Sequence, residues 1–316
     1  MLTYLIKRLL DLLIVLFGVS ILVFLMIRLI PGDAVQIMLG ANIEVTPEQI
    51  AQLRARLGLD RPILLQYWSW LGNALRGDLG ESVWTGAPIS REILGRLPVT
   101  LELTLLPLLL ATLLAVPLGI LTAAWRNSTL ERVIRFVTIA GITTPAFWLG
   151  TLFIYIAFVL APGWPTIGYV PFSQDPLGHF SRLILPTIAL ALPMLAGLVR
   201  ILRSSLLEVL GQDFIRTARS KGLPERRVLY KHALRNALVP LLTVLGIQAG
   251  YLFGGAIVIE QVFAIPGFGR LIVGAINERN YALVQGAILV VTAGFVVINF
   301  FVDLLYSVVD PRVEYA

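Results

Sequence analysis

The sequence predicts an all-α polytopic membrane protein with six transmembrane helices and both termini in the cytoplasm. Three observations lead there. Of 316 residues, 57% are hydrophobic and 14% charged, and mean hydropathy is +0.85, where a soluble chain carries about 25% charge. Six apolar runs approach or exceed the roughly 20 residues that a bilayer core about 30 Å thick requires of a helix. The basic residues gather in alternate connections between those runs. A soluble enzyme, a disordered tail or a coiled coil needs far more charge. The net charge of +6 therefore reads as membrane orientation rather than nucleic-acid binding.

The first run is Leu9 to Ile30, with Asp11 and Arg28 near its ends. Lys7 and Arg8 precede it as they would a signal peptide, but the run is too long and leads to Ile30-Pro31-Gly32-Asp33 with no small-x-small cleavage site, so an uncleaved helix is expected. Val99 to Trp125 is second, with Glu102 near its start. Phe136 to Ala161 is third and carries no charge. Leu183 to Val199 is fourth, short, and extendable to Leu202 if Arg200 snorkels. Asn236 to Ile259 and Tyr281 to Val302 complete the six, with Asp303 and Asp310 beyond. Prolines 107, 117, 145, 186, 193 and 240 fall inside these runs. In a membrane, neighbouring helices satisfy the carbonyls a proline frees, so kinks are expected rather than lost spans.

With the N-terminus inside, the inner segments are 1–8, 126–135, 200–235 and the tail after Val309. Together they hold 15 of the 25 basic residues. Nine of these lie between Arg200 and Arg235. The short outer loops carry only Arg182, Arg270 and Arg279, and Trp125 and Trp164 stand at span ends where indoles favour the interface.

The outer stretch Pro31 to Pro98 has helix signals. Thr46-Pro47-Glu48-Gln49 combines an N-cap threonine, a first-turn proline and a glutamine three residues on. Ile50, Leu53 and Leu57 then form a stripe ending at Gly58. A second amphipathic helix is expected after Pro62, with Leu64, Trp68, Leu71 and Leu75 on one face and Gly77 behind. Both are expected to rest on the membrane face of the protein.

The inner loop 200–235 is the informative one. Leu207, Leu210, Phe214 and Ala218 share a helical face, with Glu208, Gln212, Asp213, Arg216 and Arg219 on the others. Gly222 suits the left-handed residue that ends a helix, and Pro224-Glu225 opens the next. A short amphipathic helix, a sharp turn and a second helix entering span five present a shaped, charged surface to the cytoplasm. An interfacial helix lying on anionic lipid is the competing reading.

Several chemistries are excluded. There is no cysteine, so disulfides and thiolate sites are absent. The two histidines, His179 and His232, lie outside the spans on opposite sides of the membrane, which leaves an intramembrane serine hydrolase without a base. The middles of spans three to six hold no acid, against an ion-coupled secondary transporter. Glu102 and Asp303 sit near span ends, where pairing with another helix is expected. Gln248, Asn299, Thr143 and Thr144 suit hydrogen bonds between helices.

Asp213-Phe214-Ile215-Arg216-Thr217-Ala218-Arg219-Ser220-Lys221-Gly222-Leu223 resembles the cytoplasmic loop of permease subunits in ATP-binding-cassette importers, closest to the B-type permease of dipeptide and oligopeptide importers. The resemblance runs nearly end to end. It includes Pro31-Gly32-Asp33, Leu57-Gly58-Leu59-Asp60-Arg61-Pro62, Gly77-Asp78-Leu79-Gly80, His232-Ala233-Leu234-Arg235-Asn236-Ala237, Pro266-Gly267-Phe268-Gly269-Arg270 and Asp310-Pro311-Arg312. Where the wider family has E-A-A, this chain has Arg216-Thr217-Ala218, so no contact can be assigned to a glutamate there. Pro240 lies about five residues farther from Gly222 than the general pattern's proline, a spacing typical of the peptide subgroup.

The resemblance implies a type I importer permease fold. Residues 1–98 would form the first helix and a periplasmic helical segment, and 99–316 a five-helix core with the coupling loop 200–235. It implies that Asp213, Phe214, Ile215, Arg216, Thr217, Ala218, Arg219, Lys221, Gly222 and Leu223 build a coupling helix seated on an ATPase. There Phe214 and Ile215 would anchor it, Arg216, Arg219 and Lys221 would meet the groove rim, and Gly222 would make the turn. Glu260, Pro266, Gly267, Phe268, Gly269 and Arg270 would face the pore mouth and a docked solute-binding protein, with simple packing of the apolar residues as the alternative. The implied partners are a second homologous permease, two ATP-binding subunits, a periplasmic or lipid-anchored binding protein, membrane lipid and a peptide substrate. Related systems carry dipeptides, longer peptides, glutathione or nickel complexes. No cofactor is expected in this chain. It lacks a G-x-x-x-x-G-K-[ST] loop, so ATP and magnesium would be bound by partner subunits.

Overall fold

The computed structural model describes residues 2–28, 48, 60–82 and 84–309. The expected helix from Thr46 and the Pro31-Gly32-Asp33 and Asp310-Pro311-Arg312 segments lie outside the described residues, apart from Glu48. The elements are α1 (Leu2–Arg28), α2 (Ile63–Leu75), α3 (Ile89–Ala124), α4 (Thr129–Thr143), α5 (Ala146–Leu160), α6 (Pro176–Leu210), α7 (Asp213–Ser220), α8 (Leu234–Phe253), α9 (Ile257–Val262), α10 (Phe268–Asn277) and α11 (Tyr281–Val309). A short turn, Glu225–Arg227, continues through a π-helical stretch, Val228–Ala233, into α8.

Among the described residues, five helices are long and apolar enough to cross a bilayer, or six if α4 and α5 count together as one crossing. The third span therefore differs from the unbroken run expected. α4 and α5 meet at 101°. Pro145 has no N–H to donate and excludes Thr144 from helical backbone, and Thr144 is extended at φ −90°, ψ 122°. The hydroxyls of Thr143 and Thr144 turn back onto the Ala140 carbonyl, so these threonines satisfy the end of α4 rather than bridge helices. The fourth span is longer than its apolar run. α6 has 35 residues and keeps Pro186 and Pro193 inside it.

The chain divides into two units. The first comprises residues 99–266 with the chain from Val297 onward. Its core is built around α6, whose Leu183, Leu190, Met194, Leu198, Leu202 and Leu206 are buried with Leu103 of α3, Leu241 of α8 and Phe263. Close approach is made by small residues, the usual device between helices in lipid. A Cβ at Gly119 of α3 would stand 2.8 Å from Leu202 of α6, and one at Gly150 of α5 would stand 2.8 Å from the Phe263 ring. At the inner end of α4, Ser128 caps the helix by accepting from the Glu131 N–H, and the Glu131 carboxylate accepts from the Asn127 N–H. The same carboxylate, almost fully buried, is paired with Arg203 of α6.

The second unit comprises residues 2–98 and 267–296. Here α2 begins after Pro62 and ends before Gly77, which has φ +84°. Its packed face is not the predicted leucine stripe. Tyr67 is buried, its hydroxyl 2.8 Å from Ser20 Oγ of α1 and its ring edge-on to Phe17 and Phe24. Leu64, Trp68 and Leu75 are exposed. A polar anchor on α1 settles the rotation of α2, which leaves Leu64, Trp68 and Leu75 outward and Leu71 half-buried. Arg28 does not simply snorkel. Its guanidinium lies 3.5 Å from the Phe24 ring centroid and donates to Gln66 Oε1 of α2. In Gly77-Asp78-Leu79-Gly80, Asp78 Oδ1 accepts from Gly80 N–H at 2.9 Å and both glycines have positive φ. Beyond it, buried Ser82 accepts from Asn280 Nδ2 at 2.7 Å, and Trp84 Nε1 donates to the Glu278 carbonyl. Residues far apart in sequence are joined there.

Gly119→Val is expected to force α3 and α6 apart and to cost about 1–3 kcal/mol, the usual penalty of overpacking. Gly197→Ala, whose new Cβ meets nothing within 4 Å, is expected to leave thermal unfolding in detergent unchanged or slightly raised.

Candidate functional site

The loop singled out in the sequence forms one structural unit at the end of α6. α6 stops at Leu210, Gln212 is extended at ψ 154°, and α7 starts at Asp213. This break resets the helical register, so Leu207, Leu210, Phe214 and Ala218 do not form one continuous stripe. Instead Ile215 and Ala218 are the buried pair of α7, with Ile215 at 0% exposure, while Phe214 is 41% exposed. Ile215 and Ala218 belong to the core that contains Leu206 and Val209 of α6, Val228 and Ala233 of the π-helical stretch and Ala237 of α8. The expectation that both Phe214 and Ile215 anchor in a partner is thus corrected. Ile215 is spent inside this chain, and Phe214 is the apolar side chain α7 presents.

Asp213, Arg216, Thr217, Arg219, Lys221 and Gly222 are exposed. Asp213 sits in the first turn, where the helix dipole favours an acid. Its 3.3 Å pair with Arg216 is open to water and stabilises little. Thr217 Oγ1 returns to the Asp213 carbonyl. The turn after α7 is a Schellman ending. Gly222 N–H donates to the Arg219 carbonyl at 2.9 Å, and Leu223 N–H donates to the Ala218 carbonyl at 3.4 Å. Gly222 has φ +74°, and a Cβ there would meet nothing within 4 Å. The position therefore needs glycine for its backbone and not for space, a cost of roughly 1–2 kcal/mol to most residues. Arg219 does not stand free for a partner. Its Nε donates to Glu225 Oε1 at 2.6 Å, across the turn.

The outer candidates divide differently. Glu260 of α9 is buried at 1% exposure, and its carbonyl accepts from the Ile265 N–H at 2.8 Å. This closes a turn through Ala264, a non-glycine at φ +53°. Pro266 ends that segment in the first unit. In the second unit, Gly267 precedes α10, whose Phe268 and Gly269 are buried. Of the six residues, only Arg270 is exposed. Arg270 is the side chain these segments expose, while Glu260 and Phe268 are buried within them.

Two groups were not singled out as sites in the sequence. One is the Glu131–Arg203 pair, for which Ser128-x-x-Glu131 is a readable capping signal but the arginine partner, 72 residues on, has none. The other surrounds Glu102. His179 is buried, its Nδ1 2.8 Å from the Val170 carbonyl and its Nε2 3.8 Å from Glu102 Oε1, with Tyr169, Phe172 and Phe180 edge-on to the ring. Burial, and then the Glu102 carboxylate, push the Tyr169 phenol up to about 12, so it stays protonated as a donor at neutral pH. Among the described residues no group of three or more His, Asp or Glu is placed to hold a metal ion.

A helical membrane protein with a short, exposed amphipathic helix set on its own core is the class this geometry defines, and comparison assigns the family. Residues 115–315 match the family described as binding-protein-dependent transport system inner membrane component. Residues 1–104 match the N-terminal part of such membrane components. The chain belongs to this family. It is a multi-pass inner-membrane permease subunit without an ATPase domain of its own, and membership implies a solute-binding protein and an ATPase as partners. It is 44% identical over 310 residues, 98% of both chains, to a putative peptide transport system permease protein of Brucella abortus (strain 2308). It is 40% identical over 316 residues, the whole of both chains, to the glutathione transport system permease protein GsiC of Escherichia coli (strain K12). In fold it is similar to a chain of the MetNI methionine ABC transporter in an inward-facing conformation, with a TM-score of 0.55 at 19% identity, covering 69% of this chain and 96% of that one.

Ile215→Ala is expected to loosen α7 from the bundle and to cost about 2–5 kcal/mol, read as faster amide exchange throughout 213–220. Phe214→Ala is expected to change the stability of the lone subunit by no more than about 0.5 kcal/mol.

Proposed function

We propose that this chain forms one half of the translocation path of an ATP-driven importer for peptides, and that α7 is the helix through which a separate ATPase moves it. The observation that carries the reading is the construction of α7. It has an exposed outer face with Phe214 in its first turn. Its inner face, Ile215 and Ala218, is locked into the core that holds α6 and α8. A push on such a helix is transmitted to membrane spans, whereas a helix lying loosely on lipid would dissipate it. Arg216 and Lys221 supply charge for the rim of the ATPase groove. Arg219, held by Glu225, keeps the turn in shape.

The assembly would contain a second, homologous permease, two ATP-binding subunits that hold ATP and magnesium, and a periplasmic or lipid-anchored binding protein. Both termini and the loop 200–235 would be cytoplasmic, which the distribution of lysine and arginine supports. The α9–α10 region, with Arg270, would then face the binding protein. The peptide assignment is supported by the relatives' names, one a peptide permease and one a permease for glutathione, itself a short peptide.

Gly222→Val is expected to abolish binding-protein-stimulated ATPase activity and uptake while membrane insertion persists. Gly222→Asn, which tolerates positive φ, is expected to retain a substantial part of both. Equal activity of all three proteins in reconstituted vesicles would remove α7 from the coupling path. Because the chain has no cysteine, a single Ser220→Cys variant gives a clean topology probe. It is expected to react with an impermeant maleimide in inverted vesicles and to be protected in right-side-out ones.

A further inference from the structure

Just after the glycine turn the chain gathers cations that meet no carboxylate among the described residues; Arg200 and Lys221, before the turn, meet none either. Arg203, Arg216 and Arg219 each meet a carboxylate, from Glu131, Asp213 and Glu225 respectively. Arg226, Arg227 and Lys231 meet none among the described residues. All three are exposed, and with Pro224 and Tyr230 they line an open pocket of about 520 Å³. The opposite side of the same stretch is fixed. Val228 and Ala233 are both fully buried, so the cationic side cannot rotate away. Tyr230 and Lys231 lie in the π-helical stretch 228–233, Arg226 and Arg227 in the turn that leads into it, and all four line the same pocket.

Position identifies the chemistry that would neutralise this pocket. Lys231 lies five residues before Asn236, where the apolar run of span five begins. At 1.5 Å per residue that is at most about 8 Å, within the depth of the headgroup layer that flanks a bilayer core. Tyr230, 53% exposed beside it, is an aromatic with a polar tip, the side chain that collects at that level. Two guanidinium forks and an ammonium around a cavity match the oxygens of a phosphate diester, and the inner leaflet offers such groups on a negatively charged surface.

We propose that Arg226, Arg227, Tyr230 and Lys231 form a binding site for the headgroup phosphate of an anionic phospholipid of the inner leaflet, which clamps the link between α7 and α8. The site rests on the cytoplasmic orientation of the loop proposed above.

The test uses the whole importer in nanodiscs of phosphatidylcholine alone or with phosphatidylglycerol as the minority lipid. Retained lipid is counted by native mass spectrometry, and binding-protein-stimulated ATPase activity is measured. The wild type is expected to retain phosphatidylglycerol in preference to phosphatidylcholine and to be more active in its presence. Each of Arg227→Gln and Lys231→Gln is expected to lower that preference roughly fivefold and to flatten the dependence of activity on lipid, with the ATPase subunits still co-purifying. Lys231→Arg is expected to preserve both. Unchanged lipid retention in the glutamine variants would overturn the site. So would loss of co-purifying ATPase with an equal activity loss in both lipids, which would assign the cations to the motor instead. A Lys231→Cys variant separates failure of the site from failure of the orientation. Maleimide labelling from the periplasmic side alone would sink both, whereas cytoplasmic labelling without lipid selectivity would sink only the site.

Discussion

The burial of α6 is the constraint on which the first unit depends. It packs against α4, α5 and α8, and through Leu202 it meets α3 at the one point, Gly119, where a side chain would not fit. Half of its spanning stretch is buried, against 17% for α1. A helix enclosed by protein can hold groups that one facing lipid cannot. Hence α6 keeps two internal prolines, a buried histidine near its outer end and Arg203 paired to Glu131 near its inner end. The same enclosure gives the pair its strength. Removing either partner would strand a charge that is largely shielded from water, and a buried pair costs far more to break than a surface one.

The position of α7 follows from that arrangement. Only Gly211 and Gln212 separate it from α6, and Ile215 and Ala218 are inserted in the core that α6 and the start of α8 share. The turn at Gly222 reverses the chain with two backbone hydrogen bonds and the Arg219–Glu225 bridge outside them. The link is stiff on both sides without being locked by covalent or metal bonds. In the proposed coupling role such a unit would act as a short lever, since displacing α7 would either unfold the turn or move the spans. The first costs the burial of Ile215 and Leu223. Movement of the spans is the less costly response wherever the bundle has two arrangements of similar energy.

Much of this was legible in the sequence. Six apolar runs, the proline and glycine punctuation and the amphipathic loop locate nearly every described helix, because in lipid the chain has few alternatives to helix. The failures have specific physical causes. Pro145 looked like a kink inside a span and is a break, because the extended backbone of Thr144 takes the place of another helical turn. The leucine stripe of α2 looked like a packing face and is mostly exposed, because one hydroxyl pair, Tyr67 with Ser20, fixes the rotation of a helix that is apolar nearly all round. Phe214 and Ile215 looked equivalent, but neighbours on a helix point about 100° apart, and the break at Gln212 sets the phase that buries Ile215 and exposes Phe214. In each case the deciding contact is tertiary or lies at a boundary, where periodicity carries no information.

The distribution of polarity also explains why the fourth span read as the weakest. Hydropathy measures fitness for lipid, so it ranks highest the helices that touch protein least. α1, the most apolar span, is 17% buried, whereas the less apolar α6 is 50% buried. For a permease this inversion is useful. Even α1, the most apolar span, is held to α2 by particular polar residues, Ser20 to Tyr67 and Arg28 to Gln66. The helix most enclosed by protein carries the two internal prolines, the buried histidine and the paired arginine, and it leads directly into the loop for which the coupling role is proposed. A weak span that ends in a basic, glycine-broken loop is thus a stronger sign of the mechanical core of such a protein than a strong span is.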